Sequence, residues 1–311
     1  MRTARELRFP DLVWSHFSRP RFGAFDERVE AAAAAGMAGI GLFVREYERL
    51  RDEEQRSPTD LRAVLDRHGI VIADVEVVRG WWATAGDAHD ECRELEALAY
   101  EMADEFGVRY MQVIGPYDCP FEQAVEGFAA LCDRAAAHGL LVGIEWLPYT
   151  NIADAADARS IVVAADRANG GYCADIWHHQ RGANDMGLID ALDPGRVFAI
   201  QMNDGSLAPA EPASTIDYKS DCLANRMPPG DGEFDCVGFL RTLRGNGVDA
   251  PISLEVCSTA LWSQPADVAA RAAATGMRRV LAELAEPAEP AEPAELNGHP
   301  DVTVRRDNSR D

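Results

Sequence analysis

Four polar residues close four short apolar runs: Val142-Gly143-Ile144-Glu145, Tyr172-Cys173-Ala174-Asp175, Val197-Phe198-Ala199-Ile200-Gln201 and Ile252-Ser253-Leu254-Glu255. Taking three carboxylates out of water at the ends of apolar strands is costly unless a positive charge holds them. A divalent cation does this, and an oxygen-rich donor set suits a hard ion such as Mn²⁺ or Mg²⁺. The spacing is that of a repeated unit: 175 − 145 = 30, 201 − 175 = 26 and 255 − 201 = 54 residues. The first two intervals fit one strand–helix repeat, and the third fits one repeat plus an insertion. The alternative is four unrelated strand-end polar groups, each satisfied by a helix N-terminus.

The elements that must position them follow the same rhythm. Apolar runs recur at 12–17, 39–43, 71–77, 110–114, 141–147, 172–175, 197–202 and 252–256. Amphipathic stretches near 25–35, 59–68, 87–106, 121–138, 153–168, 187–193, 235–246 and 265–284 read as helices, several ending at a glycine such as Gly69, Gly107 or Gly139. Strands alternating with helices predict a parallel sheet built from βαβ units. Eight repeats predict one (β/α)₈ TIM barrel over 1–285, with a doubly wound open sheet as the runner-up. Barrel chemistry sits at the C-terminal ends of the strands, where the four polar residues fall. An excursion at 203–234 interrupts the rhythm, and loops of that length are usually functional or disordered. From 286 to 311 the chain turns to Glu-Pro-Ala repeats and mixed polar residues, which predicts a disordered tail.

Composition removes several classes. The 311 residues carry a formal net charge of −22, which argues against nucleic acid. Seven scattered cysteines without a Cys-x-x-Cys pair read as reduced thiols in a cytoplasmic protein. No apolar leader opens the chain, and no run reaches the roughly 20 residues of a membrane span. No Gly-x-Gly-x-x-Gly follows a strand, and there is neither a Walker loop nor a serine nucleophile elbow.

The chain resembles the xylose isomerase-like TIM barrels, the sugar phosphate isomerase/epimerase group, over about residues 10–285. The carriers are Gly143-Ile144-Glu145-Trp146-Leu147-Pro148, Asp175-Ile176-Trp177-His178-His179, Gln201-Met202-Asn203-Asp204, Pro229-Gly230-Asp231-Gly232-Glu233-Phe234-Asp235 and Ser253-Leu254-Glu255-Val256. The resemblance implies a divalent metal centre held by Glu145, Asp175, Gln201 and Glu255, with Mn²⁺ foremost and Mg²⁺ or Co²⁺ as alternatives. Many members have His at the third position; some relatives, including certain 3-dehydroshikimate dehydratases, have Gln. An amide oxygen remains a good ligand for a hard cation and disfavours zinc. The related type IV DNA-repair endonucleases need further His ligands and a basic groove, which this chain lacks.

By the same resemblance, Glu145 and Glu255 are the catalytic carboxylates, and His178 faces the substrate oxygen beside the metal. Arg226 is a substrate contact, although a surface ion pair is the bland reading. His179 reads as structural, Arg181 and Lys219 as solvated or substrate-facing, and Asp204 as a loop brace. His16 and Glu76, near the ends of strands one and three, are further substrate-binding candidates. A core role fits His16 equally, and Glu76 could instead brace Arg79. Trp177 is the aromatic wall expected at the substrate, with Trp81, Trp82 and Trp146 as rim or packing residues.

The chemistry implied is proton transfer next to a carbonyl through a metal-stabilised enediolate. Two carboxylates on opposite faces of a carbon give epimerisation or aldose–ketose isomerisation of a sugar or cyclic polyol. The same enediolate could instead expel a β-hydroxyl, giving a dehydratase of the inosose or 3-dehydroshikimate type acting on a cyclic polyol or keto-acid. A third reading is a non-catalytic or partner-dependent barrel subunit. Homo-oligomerisation is left open.

Overall fold

The computed structural model describes residues 3–19, 24–208 and 217–286. Eight strands close into a barrel in sequence order, each paired in parallel with the next. They are β1 (Leu12–Trp14), β2 (Gly39–Phe43), β3 (Val71–Val78), β4 (Tyr110–Ile114), β5 (Leu141–Glu145), β6 (Gly170–Asp175), β7 (Val197–Met202) and β8 (Ile252–Leu254). The ring closes through β1 and β8, with Val13 opposite Ser253 and Trp14 opposite Leu254. The doubly wound alternative is thereby replaced by the closed barrel.

The strands are almost wholly buried, as both faces of a barrel strand must be: one meets the interior and the other the helices. The helices present one apolar stripe. In Phe121–Ala136 the buried residues include Ala124, Phe128, Leu131, Cys132 and Ala135, spaced as one helical face. Burying a side chain such as Phe128 is worth about 1.5–3 kcal/mol. The helix Pro58–His68 opens on a Ser57 capping box and ends at Gly69, whose φ of +67° suits a residue without Cβ. Inside the ring, space is made by glycine. A Cβ on Gly41 would overlap the Glu76 carboxylate, so a small residue on β2 is what lets that acid point inward from β3. Leu7, from the N-terminal segment, packs with Val13 and Ala73 and closes the base.

Three departures from the expected elements matter. Strand one stops at Trp14, and His16–Ser18 turn into a 3₁₀ helix. Two helices, Ile176–Arg181 and Met186–Asp190, replace the single one expected between strands six and seven. Within the 203–234 excursion, the chain forms a helix at Tyr218–Ala224 and then an antiparallel bridge in which Asp204 and Met227 exchange backbone hydrogen bonds of 2.8 Å. That bridge returns Arg226 to the barrel mouth. The expected tail lies outside the described residues, apart from Glu286.

Candidate active site

Glu145 and Asp175 are the last residues of β5 and β6, Gln201 is the penultimate residue of β7, and Glu255 follows β8 directly. In a parallel barrel these positions share one rim. All four side chains are buried; Arg226 and His178 join Glu145, Asp175 and Glu255, whereas Gln201 meets the group through Gln112. The ligating atoms of Glu145, Asp175 and His178 lie within 4.8 Å of one another.

Asp175 is both a strand end and a helix cap. Its Oδ1 accepts the backbone N–H groups of Trp177 at 2.6 Å and His178 at 3.1 Å, opening the helix Ile176–Arg181. The helix-cap alternative is therefore half true for this residue, because one oxygen is satisfied locally. The other, Oδ2, accepts Arg226 Nη1 at 2.8 Å. The same Nη1 donates to Glu255 Oε2 at 2.8 Å. Burial opposes the charge on Asp175, yet Arg226, His178 and the backbone donors hold its carboxyl below the usual range. Glu255 goes the other way: burial pushes it well up, and Glu145, Asp175 and Glu76 add repulsion that Arg226 does not offset. The two acids share one guanidinium but differ because only Asp175 also receives helix N–H groups.

Glu145 is oriented from β4. Gln112 Nε2 donates to its Oε2 at 2.6 Å. Its Oε1 is buried without a hydrogen bond, facing His178 Nε2 at 3.2 Å. His178 Nε2 also lies 3.3 Å from Arg226 Nη2. The two contacts require opposite tautomers: an Nε2–H donates to the carboxylate, whereas a bare Nε2 accepts from the guanidinium. Gln201 Nε2 donates to Gln112 Oε1 at 3.3 Å, which leaves Gln201 Oε1 buried and without a partner.

These residues fit a divalent cation. The buried Gln201 Oε1 lacks a partner, Glu145 Oε2 keeps a lone pair beside its Gln112 hydrogen bond, and the donor set is rich in oxygen. The charge also fits. Glu255 is held toward its neutral form; once a cation draws off that proton, Glu145, Asp175 and Glu255 carry −3 and Arg226 returns +1, leaving −2 in a buried site. A dication neutralises that remainder.

A cavity of about 110 Å³ opens above this group, with Glu145, His178, Arg226 and Glu255 on its polar side. Phe17, Val77, Ile114, Leu147 and Leu223 make its remaining walls mainly apolar. Trp177, expected as the aromatic wall, lies elsewhere. Its ring sits beneath Arg226, 5.3 Å from the guanidinium carbon, and beside Arg181 at 5.7 Å, so it braces cations and does not line the cavity. The reason is that the helix capped by Asp175 begins at Ile176 and packs the buried Trp177 ring behind His178 and Arg226, while His178 faces the cavity.

Glu76 sits one layer below. Its carboxylate accepts Ser15 Oγ at 3.0 Å and the His16 backbone N–H at 3.2 Å, and Ser15 Oγ also reaches Glu255 Oε1 at 3.4 Å. Burial, then repulsion from Asp74, raises Glu76 to about 8. Glu76 does not meet Arg79, which pairs with Glu91 at 2.7 Å. His16 is buried with its ring against Phe17 and Phe43, at 5.7 and 5.8 Å.

The remaining candidates take supporting positions. His179 packs on Phe239, and burial lowers its pKa. Arg181 donates to Ser206 O at 2.8 Å and meets Asp221 at 3.4 Å. Lys219 is exposed. Asp204 accepts the N–H groups of Gly230 and Phe234, both at 2.9 Å, and so braces the excursion as expected. Trp81 donates to Ile114 O at 2.9 Å, and Trp82 to Asp118 at 2.6 Å, while Trp146 is buried in the core. Gln112 was not anticipated. Its signal was present, a polar residue in the apolar run Tyr110-Met111-Gln112-Val113-Ile114, but it is neutral and sits mid-strand.

The profile of the xylose isomerase-like TIM barrel family matches residues 29–280, and the chain belongs to that family. The 3-dehydroshikimate dehydratase of Pseudomonas aeruginosa is 28% identical over 248 residues, covering 78% of this chain and 38% of that protein. The 3-dehydroshikimate dehydratase of Pseudomonas putida is 24% identical over 264 residues, covering 83% and 40% respectively. The chain thus spans about two fifths of the length of these relatives. Among solved structures, the IOLI protein, which holds a zinc atom, superposes with a TM-score of 0.77 at 19% identity, covering 88% of this chain and 99% of that one. Among the described residues, no helix is long and apolar enough to cross a membrane.

Proposed function

We propose that the chain is a metal-assisted lyase that dehydrates a small cyclic β-hydroxy ketone of the 3-dehydroshikimate type. The observation that carries this reading is the unpartnered Glu145 Oε1, 3.2 Å from His178 Nε2, at the floor of a small cavity with apolar walls. The cavity is small, and its polar groups Gln112, Glu145, Tyr149, His178, Arg226 and Glu255 face apolar walls, so a compact ring with its oxygens on one side suits it better than a long polyol. The likeness to two dehydratases supports the same ordering, which puts the dehydratase set out as the alternative from the sequence ahead of the isomerase/epimerase named first there.

In this mechanism Glu145 is the general base. Gln112 fixes one of its oxygens, so the other takes the proton α to the ketone. The C–H electrons form the C=C bond, the β C–O bond breaks, and the departing hydroxyl receives a proton from His178 Nε2 and leaves as water. Arg226, anchored on Asp175 and Glu255, presents Nη2 beside His178 where negative charge develops. A divalent cation held by Glu145, Asp175, Gln201 and Glu255, Mn²⁺ foremost, would supply Lewis-acid polarisation of the ketone.

One observation favours isomerase or epimerase as a second reading. Glu255 borders the same cavity as Glu145, and two carboxylates could serve opposite faces of one carbon. Incubation of the Mn²⁺-loaded protein with a panel of cyclic β-hydroxy ketones and ketoses, in deuterated water, separates the two. Loss of 18 mass units supports the lyase. Deuterium uptake without loss of water supports the isomerase, and neither change in any compound overturns both.

A further inference from the structure

The base of the barrel, opposite the acids, carries a second cavity of about 540 Å³. Its walls come from residues at or leading into β4, β5, β7 and β8, including Arg109, Gly139, Gly195 and Gly247, together with Arg5 and Arg8 from the N-terminal segment. Three guanidinium groups therefore border one space in a chain whose net charge is −22.

The local balance is unlike the rest of the molecule. Asp249 is the one carboxylate on the wall, so the lining carries 3 − 1 = +2. Asp249 is already shared: it lies 3.9 Å from Arg8 and 3.7 Å from Arg244, and accepts the Phe9 N–H at 3.3 Å. Arg8 Nη1 donates to the carbonyls of Arg5 and Leu7, both at 2.8 Å, which holds its side chain in place. Arg109 Nη1 donates to Phe198 O at 2.7 Å. Among the described residues, no carboxylate lies within ion-pair distance of Arg5. Its guanidinium lies against Gly139, where a Cβ would clash with it. Gly247, at φ +97°, leaves its side of the cleft open. Burial is the larger influence disfavouring the Arg109 charge; Asp74 behind it and Asp249 on the wall favour that charge, and Arg8 opposes it.

We propose that this cleft binds a small multivalent oxyanion, a phosphate group or a polycarboxylate, through Arg5, Arg8 and Arg109. Guanidinium forks match both anions in a bidentate manner, and a bound anion would relieve the repulsion among the three. The assignment is independent of the reaction at the opposite rim.

The test is calorimetric titration of the full chain with inorganic phosphate and, separately, with citrate, at ionic strength held constant with KCl. Direct binding is needed because phosphate stabilises folded proteins by exclusion alone. The expected result is saturable binding of at least one ion, weakened tenfold or more in Arg5→Ala/Arg8→Ala and partly restored in Arg5→Lys/Arg8→Lys. Phosphate binding without citrate assigns a phosphate group, and the reverse assigns a polycarboxylate. If the double variant fails to fold, Arg5→Ala alone serves, since that side chain makes no ion pair to lose. No saturable binding of either ion, or equal binding by the folded variants, overturns the proposal.

Discussion

Replacing Arg226 with Met separates the charge argument from packing. Met fills much of the arginine stem's volume but removes the cation that bridges Asp175 and Glu255 at 2.8 Å each. Both carboxylates and the guanidinium are buried. Breaking such a group by deleting one partner costs about 3–5 kcal/mol, because the remaining charges stay desolvated and unpaired. With unfolding entropy near 2.1 cal/mol/K per residue, a chain of this size loses roughly 5–8 °C of melting temperature. The variant loses the positive charge beside these acids, so a dication should recover more stability in the variant than in the parent. Melts followed by circular dichroism in EDTA, then with saturating Mn²⁺, read both effects. The gap should be widest in EDTA and narrow with metal. Melting of the variant within about 1 °C of the parent in EDTA, or a gap that Mn²⁺ leaves unchanged, would refute the view that Arg226 offsets the acids.

Glu145→Gln should lower turnover by about 10²–10⁴-fold while keeping the melting temperature within a few degrees, since the amide fills the same space; full activity would remove the proposed base. Gln201→Leu deletes the unpartnered oxygen and should weaken Mn²⁺ binding, read by the free-ion electron paramagnetic resonance signal, and an unchanged affinity would take Gln201 out of the donor set. Burial raises Asp74 to about 7, whereas an unfolded Asp titrates near 4. Between pH 5 and 7 the folded chain therefore holds the extra proton, and stability falls as pH rises through that window. Asp74→Asn should accordingly stabilise the protein more at pH 7.5 than at pH 5; a gain independent of pH would show that Asp74 titrates normally.

The fold was legible because period and punctuation agreed. Eight apolar runs separated by amphipathic stretches allow little but a parallel sheet, and the helix stops at Gly69 and Gly107 fall where left-handed φ is observed. The acids were legible because a charge ending an apolar run is expensive and must have a reason. What stayed hidden depends on chain direction between elements. Trp177 and His178 are adjacent in sequence, and only the cap at Asp175 decides which of them turns inward. Arg226 was expected at the substrate, but its bridging of Asp175 and Glu255 was not, because its return from an excursion with no periodicity is set by the backbone bridge between Asp204 and Met227. Gln112 could be found only by asking which neighbour orients Glu145, a question of strand pairing, since Ile114 and not Gln112 stands opposite that acid in the β4–β5 register.

Gln201 and Gln112 are best understood as one device. An amide can be turned either way, so a lone glutamine does not specify whether it presents oxygen or nitrogen. Here Glu145 Oε2 can only accept, which forces Gln112 to offer its nitrogen at 2.6 Å and to turn its oxygen the other way. That oxygen in turn takes the Gln201 nitrogen at 3.3 Å. The Gln201 oxygen is then the atom left over, buried near the acids with no partner. A histidine at 201 would bring a nitrogen donor and no amide to orient. Glutamine there instead makes the last oxygen of the set depend on the ionised state of the first, so the donors are coupled before any ion arrives.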